Sequence, residues 1–509
     1  MKKIAAIILA IACIAVSMTA CKKGSGTGQT GISKKPEWEK VEFTDIPGDT
    51  RATLTQEEAV KKYHANTDWR IYSIRTTETT VKPSDGGTAY YVSVNGVDTN
   101  DGTSPEKAIA TPGAISRLPL KAGDVVYFER GYVYRGSVTC RVAGVTYSAY
   151  GEGTKPEIYA SPENAAAEGC WEATDTENIW LYHNAVGPDV GAIIFNDGEE
   201  IGTKAFIVQE GSTKRNPTTG KKFENYKDLE KNFQFFHNNG KIYLYYDGGN
   251  PSEKFDSIEL NIKQNVFAVN ADNITIDNIC VKYTGAHGIG GGSCDGLTVT
   301  NCEIGYIGGS LQTSTTRYGN GVEIWGQATN YTVDNCYIYQ VYDAGVTFQY
   351  STKEEGDKTI EENIKFTNNV FEYCNYSIEY FLTAGDENTS YINNFEISGN
   401  QCWFAGEGLC SQRPDKTGNA HIKSWGHNNY SRGNFVVKDN MFALASNMLV
   451  ETYSKNDYKA TYDNNIYLQN ERRKLGRNGS MKDNTERFSE QQVLSITNDQ
   501  NAKIITVKK

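Results

Sequence analysis

Three acidic side chains and one tryptophan are the strongest candidates for chemistry in this sequence. Glu323 and Trp325 lie in RYGNGVEIW (residues 317–325), Asp343 lies in VYDAGV, and Glu379 lies in SIEYF. Two carboxyl groups held close together can work as a general acid and as a base or nucleophile. A tryptophan beside them offers a flat apolar face to a sugar ring. These residues are far apart in the chain, so a regular fold must bring them together.

An internal repeat supplies such a fold. Six segments share an Asn or Gly, then alternating apolar residues, then an Asn; they begin at Asn273, Gly296, Asn330, Asn363, Asn394 and Asn434. No segment can bury its apolar face alone, and stacking the segments in register about 4.8 Å apart solves that problem. The repeat therefore predicts an all-β chain wound into a parallel β-helix.

The repeat also predicts a ladder at one corner of the coil. There, an Asn side chain can bond to the backbone of the next coil and tolerate a left-handed turn. The expected ladder residues are Asn278, Asn301, Asn335, Asn368, Asn400 and Asn440. Cys302 and Cys336 each follow a ladder position and are expected to stack inside.

A second column of strands follows the first. Its expected inward residues are Val322, Val346, Ile378 and Leu409; its outward residues are Glu323, Thr347, Glu379 and Cys410, with Trp325, Gln349, Phe381 and Gln412 two residues later. In this alignment the column carries no basic residue. Insertions at 310–318, 350–361, 383–392 and 413–432 lie beside it, and we expect them to wall a groove.

The N-terminus predicts export and anchoring. Two lysines, an apolar run and small residues before Cys21 indicate a signal peptide, and the segment resembles a bacterial lipoprotein signal with Cys21 as the lipidated residue. We expect an extracytoplasmic protein held to the membrane by acyl chains, at the cell surface. The expected segments are the signal peptide (1–20), a tether and N-terminal extension (21–88), the start and cap of the β-helix (89–160), a β-rich insertion (161–260), the coils (261–455) and a C-terminal cap (456–509).

Composition excludes some partners. A net charge of −11 and a pI near 5.3 argue against nucleic acid. Apart from Cys13 and Cys21, nine of the 11 cysteines remain, an odd number with no CxxC pair, so we expect buried thiols and no metal site. We expect a monomer without a cofactor.

Three stretches carry a family resemblance. They are AYYVSVNGVDTNDGTSPEKAIATPGAI (89–115), DVGAIIFNDGE (189–199) and the RYGNGVEIW to VYDAGV segment. Together they resemble right-handed parallel β-helix carbohydrate-active proteins, above all β-helical glycoside hydrolases of the xylosidase and fucosidase type. The pectate lyase superfamily is a more distant likeness. The resemblance covers roughly residues 88–455 and implies a polysaccharide-degrading enzyme.

Glycoside hydrolysis requires two carboxyl groups that flank the scissile bond. Glu323 and Asp343 are the expected pair and Glu379 is the reserve, with Trp325 as the sugar platform. A gap of about 5–5.5 Å would suit a retaining enzyme and about 6.5–9.5 Å an inverting one, and the sequence leaves both open. The expected substrate-binding residues are Trp325, His287, Arg317, Gln349, Arg413, His421 and Lys423.

Two other functions stay open. A lyase acting on uronate-containing glycans needs a Lys or Arg base and a cation such as calcium, and its base would have to come from Arg317, Arg413 or Lys423. A non-catalytic glycan-binding or adhesive surface protein is the third reading, because this fold also carries binders.

Overall fold

A computed structural model describes most of the chain. It covers residues 35–36, 49–351, 358–383, 388–414, 418–425, 430–482 and 487–508. The predicted signal peptide and Cys21 lie outside these residues, as do parts of three of the expected insertions. Among the helices within the described ranges, none is both long and apolar enough to cross a membrane.

The fold is a right-handed parallel β-helix, as the sequence predicts, with three sheets that each take one strand per coil. Sheet 1 contains the repeated segments, in the strands Ala89–Val92, Val125–Glu129, Thr146–Tyr150, Thr275–Asp277, Thr298–Thr300, Thr332–Asp334, Ile360–Thr367, Tyr391–Ser398, Ser431–Lys438 and Thr461–Asp463. The short strands Cys294–Asp295 and Ala328–Thr329 pair at its margin.

Sheet 2 follows sheet 1 around the coil. Its strands are Val133–Arg135, Glu157–Tyr159, Cys280–Thr284, Glu303–Ile307, Tyr337–Ser351, Val370–Thr383, Gln401–Trp403, Met441–Ala443, Ile466–Asn470, Lys503–Lys508 and Asp49–Thr55. The coils therefore continue well past residue 455. The N-terminal strand of this sheet pairs in parallel with the C-terminal one.

Sheet 3 carries the candidate chemistry. Its strands are Val138–Cys140, Phe267–Val269, Ile289–Gly291, Val322–Trp325, Ala420–Ser424, Met448–Thr452 and Lys474–Asn478, together with the second halves of Tyr337–Ser351 and Val370–Thr383. Val322, Val346, Ile378 and Ile422 stack in register and are fully buried. Alternation along each strand then turns their neighbours outward.

One column position predicted from the sequence is wrong. Gly408–Gln412 forms a short 3-10 helix instead of a strand, and Ala420–Ser424 completes the rung beside Glu379. Gly406 and Gly408 adopt positive φ and turn the chain out of the coil, so Leu409 packs into a tyrosine-rich cluster on the outside of sheet 2. Lys423 therefore stands where Cys410 was expected.

The predicted asparagine ladder exists but divides in two. Asn278, Asn301, Asn335 and Asn368 take the left-handed conformation at the corner, as expected. In the segments with one extra residue, Gly399 and Asp439 take that conformation instead. Asn400 and Asn440 consequently move one position inward.

An inner ladder results from this shift. Its fully buried members are Asn369, Asn400, Asn440 and Asn465. In each, the side-chain oxygen accepts from the backbone N–H of the preceding member, and the amide donates to a carbonyl of the preceding coil, as Asn400 does to Phe366 at 2.8 Å. Cys302 and Cys336 occupy the equivalent places in earlier coils. All nine cysteines between Cys140 and Cys410 are buried free thiols, as the sequence predicts.

The segment between the first and later coils adds a small body, called the antiparallel body here, in which every strand pairing of its main sheet is antiparallel except that of Thr203–Ala205 with Gln234–Asn238. A five-stranded sheet combines Trp171–Ala173, Ile179–Tyr182, Thr203–Ala205, Gln234–Asn238 and Lys241–Tyr245, and Val208–Glu210 pairs with Thr213–Arg215. Val190–Phe195 pairs with Glu200–Ile201 and with Ile258–Ile262, which joins sheet 2. Two further hairpin pairings are Ser310–Leu311 with Arg317–Tyr318, and Lys474–Asn478 with Met481–Lys482.

The α-helices are few. They are Gln56–Tyr63, Ala65–Arg75 and Glu490–Thr497, with 3-10 turns at Pro105–Lys107, Pro112–Arg117, Asn196–Gly198, Tyr226–Asp228 and Pro251–Glu253. Thr55 and Glu58 form a capping box that starts the first helix.

The first two helices lie across the outer face of sheet 2. Along them, Thr67 donates to Gln401 at 2.6 Å, His64 contacts Glu372 at 2.5 Å, and Arg75 forms a bidentate ion pair with Glu303. These sheet residues belong to different coils, so the helices bind several coils at once.

Replacing Asn400 by Ala should destabilise the protein by about 2–4 kcal/mol. The change leaves the backbone N–H of Asn369 and the carbonyl of Phe366 buried without partners, each costing about 1–3 kcal/mol. Urea unfolding measures the loss. Asn95→Ala is the matched control, because Asn95 is exposed and bonds to the Tyr132 hydroxyl at 3.2 Å; equal effects of the two changes would refute the ladder's role.

Candidate active site

A row of outward-facing positions crosses sheet 3, one from each coil, and all but the first carry a polar side chain. In register the row reads Gly290, Glu323, Thr347, Glu379, Lys423 and Glu451. Strand spacing puts Glu323 and Glu379 about 10 Å apart at the backbone. The acids point away from the coil interior, as expected, yet they are almost fully covered, with Glu323 only 6% and Glu379 only 4% exposed.

Glu323 is held as an ion. His287 Nδ1 lies 2.5 Å from its carboxylate, and the Asn320 side chain donates to it at 2.6 Å. Burial would raise the pKa of Glu323, but the His287 charge and the two hydrogen bonds outweigh burial and lower it. Glu323 is thus a fixed negative charge at neutral pH.

Asp343 pairs with a guanidinium. Arg413 Nη1 lies 2.7 Å from its carboxylate, and both side chains are nearly buried. Asp343 precedes Ala344, which sits in register between the Glu323 and Glu379 rungs, and the Ala344 N–H donates to Asn320 at 2.8 Å. An arginine remains charged at any working pH, so this contact favours the ionised carboxylate.

Glu379 has the opposite character. Burial, followed by the negative charge of Asp343, raises its pKa well above the usual value, although Arg413 opposes this effect. Gln349 donates to Glu379 at 2.5 Å and to Thr347 at 3.0 Å, which fixes the carboxyl group in place. Glu379 is therefore the carboxyl group of the three whose surroundings most favour the protonated form, which suits a proton donor.

The site thus combines Glu379, whose surroundings favour the protonated form, with Glu323 and Asp343, whose partners favour the ionised form. Carboxyl groups driven to different protonation states by their surroundings are the usual acid and base assignments of an active site. Burial, followed by the negative charges of Glu323 and Asp343, raises the pKa of the Tyr318 hydroxyl.

Aromatic rings lie two residues beyond the acids. Trp325 is 50% exposed and contacts Phe381 edge-on, with ring centroids 5.9 Å apart. Trp425 is 41% exposed, with the Lys423 ammonium 4.3 Å from its ring centre, and hydrogen-bonds to Glu379. Exposed indoles on either side of a buried acid can stack on successive rings of a glycan.

The column predicted to carry no basic residue does carry one. Lys423 neighbours Glu379 in register. Its ammonium forms an ion pair with Glu451 of the next coil.

His421 is not placed to touch substrate. It is fully buried, stacked on Phe442 and hydrogen-bonded to Ser377 and to the Ala443 carbonyl, and burial lowers its pKa to about 3. The sequence placed His421 on an exposed insertion, whereas the structure places it in the strand Ala420–Ser424, where its side chain is covered by protein. Gln412 also leaves the face, and bonds Lys204 and Gly202 of the antiparallel body.

Arg317 is buried too, beneath the site. Its Nε donates to Gly309 at 2.6 Å and its Nη2 to Gly191 at 3.1 Å. Asn320 is the residue that sequence reasoning missed. It links the His287 rung to the Asp343 rung, and its position between two glycines in RYGNGVEIW was the available signal.

A pocket of about 800 Å³ lies at sheet 2, beside the segment that follows the second helix. Several of its charged groups pair with one another: Arg75 pairs with Glu303, Lys282 pairs with Glu157 and Asp197, and Lys155 bonds Asn278. Arg75 belongs to the second N-terminal helix, so this pairing attaches that helix to sheet 2.

One group of metal-ligand type occurs in the described ranges. Glu163, Cys170 and His183 lie in or beside the antiparallel body, with ligand atoms within 4.8 Å of one another. Glu163 already accepts from Tyr182, His183 and Asn184. The group is separate from the row of acids on sheet 3.

No protein-family model and no curated protein matches the chain. Similar solved structures include a complex of XylC with xylose, 15% identical over 75% of this chain and 70% of that one, with a TM-score of 0.42. A glycoside hydrolase is 10% identical over 83% and 96%, with a TM-score of 0.41, and the pectate lyase Pel9A is 13% identical over 78% and 72%, with a TM-score of 0.37.

The neutral state of Glu379 predicts a pH effect on stability. Its pKa is near 4.3 in the unfolded chain and much higher in the folded one, so between these values the folded chain holds the extra proton. The free energy of unfolding should then fall as pH rises, by up to about 1.4 kcal/mol per pH unit. Glu379→Gln removes this loss, so the variant should gain on the parent protein between pH 4 and pH 8.

Urea unfolding across that pH range measures the gain. Glu396→Gln is the control, because hydrogen bonds from Ser398 and Lys438 outweigh burial and lower the pKa of Glu396. A difference between Glu379→Gln and the parent protein that does not change with pH would contradict the assignment.

Proposed function

We propose that the protein is a polysaccharide-degrading glycoside hydrolase with its active site on sheet 3. The observation that carries the proposal is the arrangement of three nearly buried carboxyl groups on neighbouring rungs of sheet 3. Glu323 contacts His287, Asp343 contacts Arg413, and Glu379, among the described residues, accepts only from the neutral donors Gln349 and Trp425. Exposed Trp325 and Trp425 flank this row. The sequence resemblance to β-helical glycoside hydrolases agrees with the same chemistry.

The geometry supports distinct roles for the acids. Glu379 donates its proton to the glycosidic oxygen as the bond breaks, which is the task of a carboxyl group with a raised pKa. Asp343, on the neighbouring rung and aligned by Arg413, acts as the second carboxylate, either on the sugar carbon or on a water. This assignment makes Glu379 the acid, where the sequence alone favoured Glu323 and Asp343 as the pair.

Glu323 then has an electrostatic role. Hydrolysis passes through an oxocarbenium-like transition state that carries positive charge. A carboxylate kept ionised by His287 and Asn320 stabilises such charge in a site shielded from water. Gln349 keeps the acid in place, and the indoles bind the sugar rings on either side.

A uronate-polymer lyase is the second candidate, since Lys423 is adjacent to Glu379 on the sheet. Its ammonium is already engaged by Glu451 of the next coil, so reaching a substrate proton would require breaking that ion pair. Only the lyase would need calcium. A non-catalytic glycan-binding surface protein is the third candidate function.

A panel of plant and bacterial polysaccharides separates the three functions. A hydrolase releases new reducing ends, a lyase adds ultraviolet absorbance from an unsaturated uronate, and a binder does neither. We expect new reducing ends without ultraviolet absorbance. Glu379→Gln, Asp343→Asn and Glu323→Gln should each lower kcat about 10²–10⁴-fold with the fold retained.

Glu396→Gln is the matched control, on the outer face of sheet 1, and should leave kcat unchanged. Unchanged turnover in Glu379→Gln would remove that residue from the chemistry. Absorbance without hydrolysis would replace the proposal by the lyase.

We further propose that the protein is anchored through a lipidated Cys21 and acts outside the cytoplasm as a monomer. The N-terminal signal supports this part of the proposal. Cys21→Ser should move the protein from the membrane fraction to the soluble fraction while activity per molecule is kept. Retention of the variant in the membrane fraction would contradict lipid anchoring.

A further inference from the structure

A pocket of about 420 Å³ opens beside the proposed catalytic acids. Its lining residues are Phe206, Thr315, Thr316, Arg317, Tyr342, Arg413 and Pro414. Arg413 is the residue that pairs with Asp343 at 2.7 Å, so the pocket adjoins the group that would act on the glycosidic bond. Thr315 and Thr316 are exposed, whereas Arg317 and Tyr342 are buried.

The charges around the pocket do not balance. Arg413 is matched by Asp343, and Lys204 behind it by Asp189. Arg317 makes no ion pair with any carboxylate in the described part of the chain. Its hydrogen bonds go to the backbone carbonyls of Gly309 and Gly191. Three cations therefore face two carboxylates.

The guanidinium of Arg317 is under-satisfied as well. It is sandwiched by rings, 4.5 Å from the centre of Tyr342 and 5.6 Å from that of Phe206. Its Nη1 is buried and, among the described residues, has no hydrogen-bond partner. A buried cation without a counter-ion is unfavourable, and an anion bound nearby would offset that cost.

We propose that this pocket is a subsite for an anionic substituent of the glycan, a carboxylate or a sulfate ester, carried on a sugar next to the bond that is cleaved. Arg317 supplies the uncompensated positive charge from beneath the pocket, and the rim hydroxyls of Thr315 and Thr316 donate hydrogen bonds. This inference rests on the proposed function for the position of the cleaved bond, and it deepens that function by naming an acidic glycan as substrate.

Binding of matched polysaccharide pairs tests the inference without turnover. One pair is a uronate-containing polysaccharide and the same polymer after its carboxyl groups are reduced to alcohols; the other is a sulfated polysaccharide and its desulfated form. Affinity electrophoresis at fixed ionic strength gives the dissociation constants. We expect the charged member of one pair to bind at least tenfold more tightly, and the pair that shows the preference identifies the anion.

Variants then place the preference in the pocket. Thr316→Glu puts a negative charge at the rim and should reduce the preference to twofold or less, whereas the neutral control Thr316→Gln should keep it. Arg317→Gln should also abolish the preference and Arg317→Lys should preserve it. Because the Thr316 side chain is exposed, the first two variants remain informative if changes at Arg317 prevent folding.

The outcomes are distinct from those of the hydrolase proposal. Equal binding of both members in each pair, no binding of any member, or a preference that survives Thr316→Glu would overturn the subsite. A clear charge preference without any new reducing ends would refute the hydrolase and leave the subsite in place. Hydrolysis of neutral glycans without a charge preference would support the hydrolase and refute the subsite.

Discussion

Register between stacked coils is the constraint on which this structure depends. Each coil contributes one strand to each of three sheets, and a slip of one residue would turn every outward side chain inward. The inner asparagine ladder opposes such a slip, because each side chain accepts from a backbone N–H of the preceding coil and donates to a carbonyl of that coil, at Asn369, Asn400, Asn440 and Asn465. Residues more than 50 positions apart, such as Glu323 and Glu379, consequently meet on one face.

The same constraint explains the electrostatics of the site. Buried carboxyl groups on neighbouring strands repel one another when they are ionised, so the three cannot ionise independently. Two of them have a nitrogen partner within hydrogen-bond distance, the imidazole of His287 for Glu323 and the guanidinium of Arg413 for Asp343. The third, Glu379, has no ion-pair partner of its own in the described part of the chain, and burial, followed by the charge of Asp343, raises its pKa. Different protonation states thus follow from which partner each rung supplies.

Much of the fold could be predicted from the sequence, because the repeat is written in local patterns. Alternating apolar residues and a corner Asn define each sheet 1 strand, and they located Glu323, Asp343 and Glu379 on one surface. The local pattern failed at GLCSQ, where a glycine and an apolar residue resemble a strand. What decides there is the path of a long loop, which brings Ala420–Ser424 into the rung instead. Likewise, no sequence pattern shows which of three acids has a cationic neighbour.

The two N-terminal helices give the solenoid a property that repeat proteins often lack. Stacked coils usually interact only with their neighbours, so unfolding can begin at an end and spread coil by coil. Here a segment that precedes the first coil pairs with the final strand and then fastens to Gln401, Glu372 and Glu303 in turn. Loosening the last coil would also detach this brace from the middle of the stack. The molecule is thus built to melt as one cooperative unit, with the rungs that carry Glu323 and Glu379 inside the braced region.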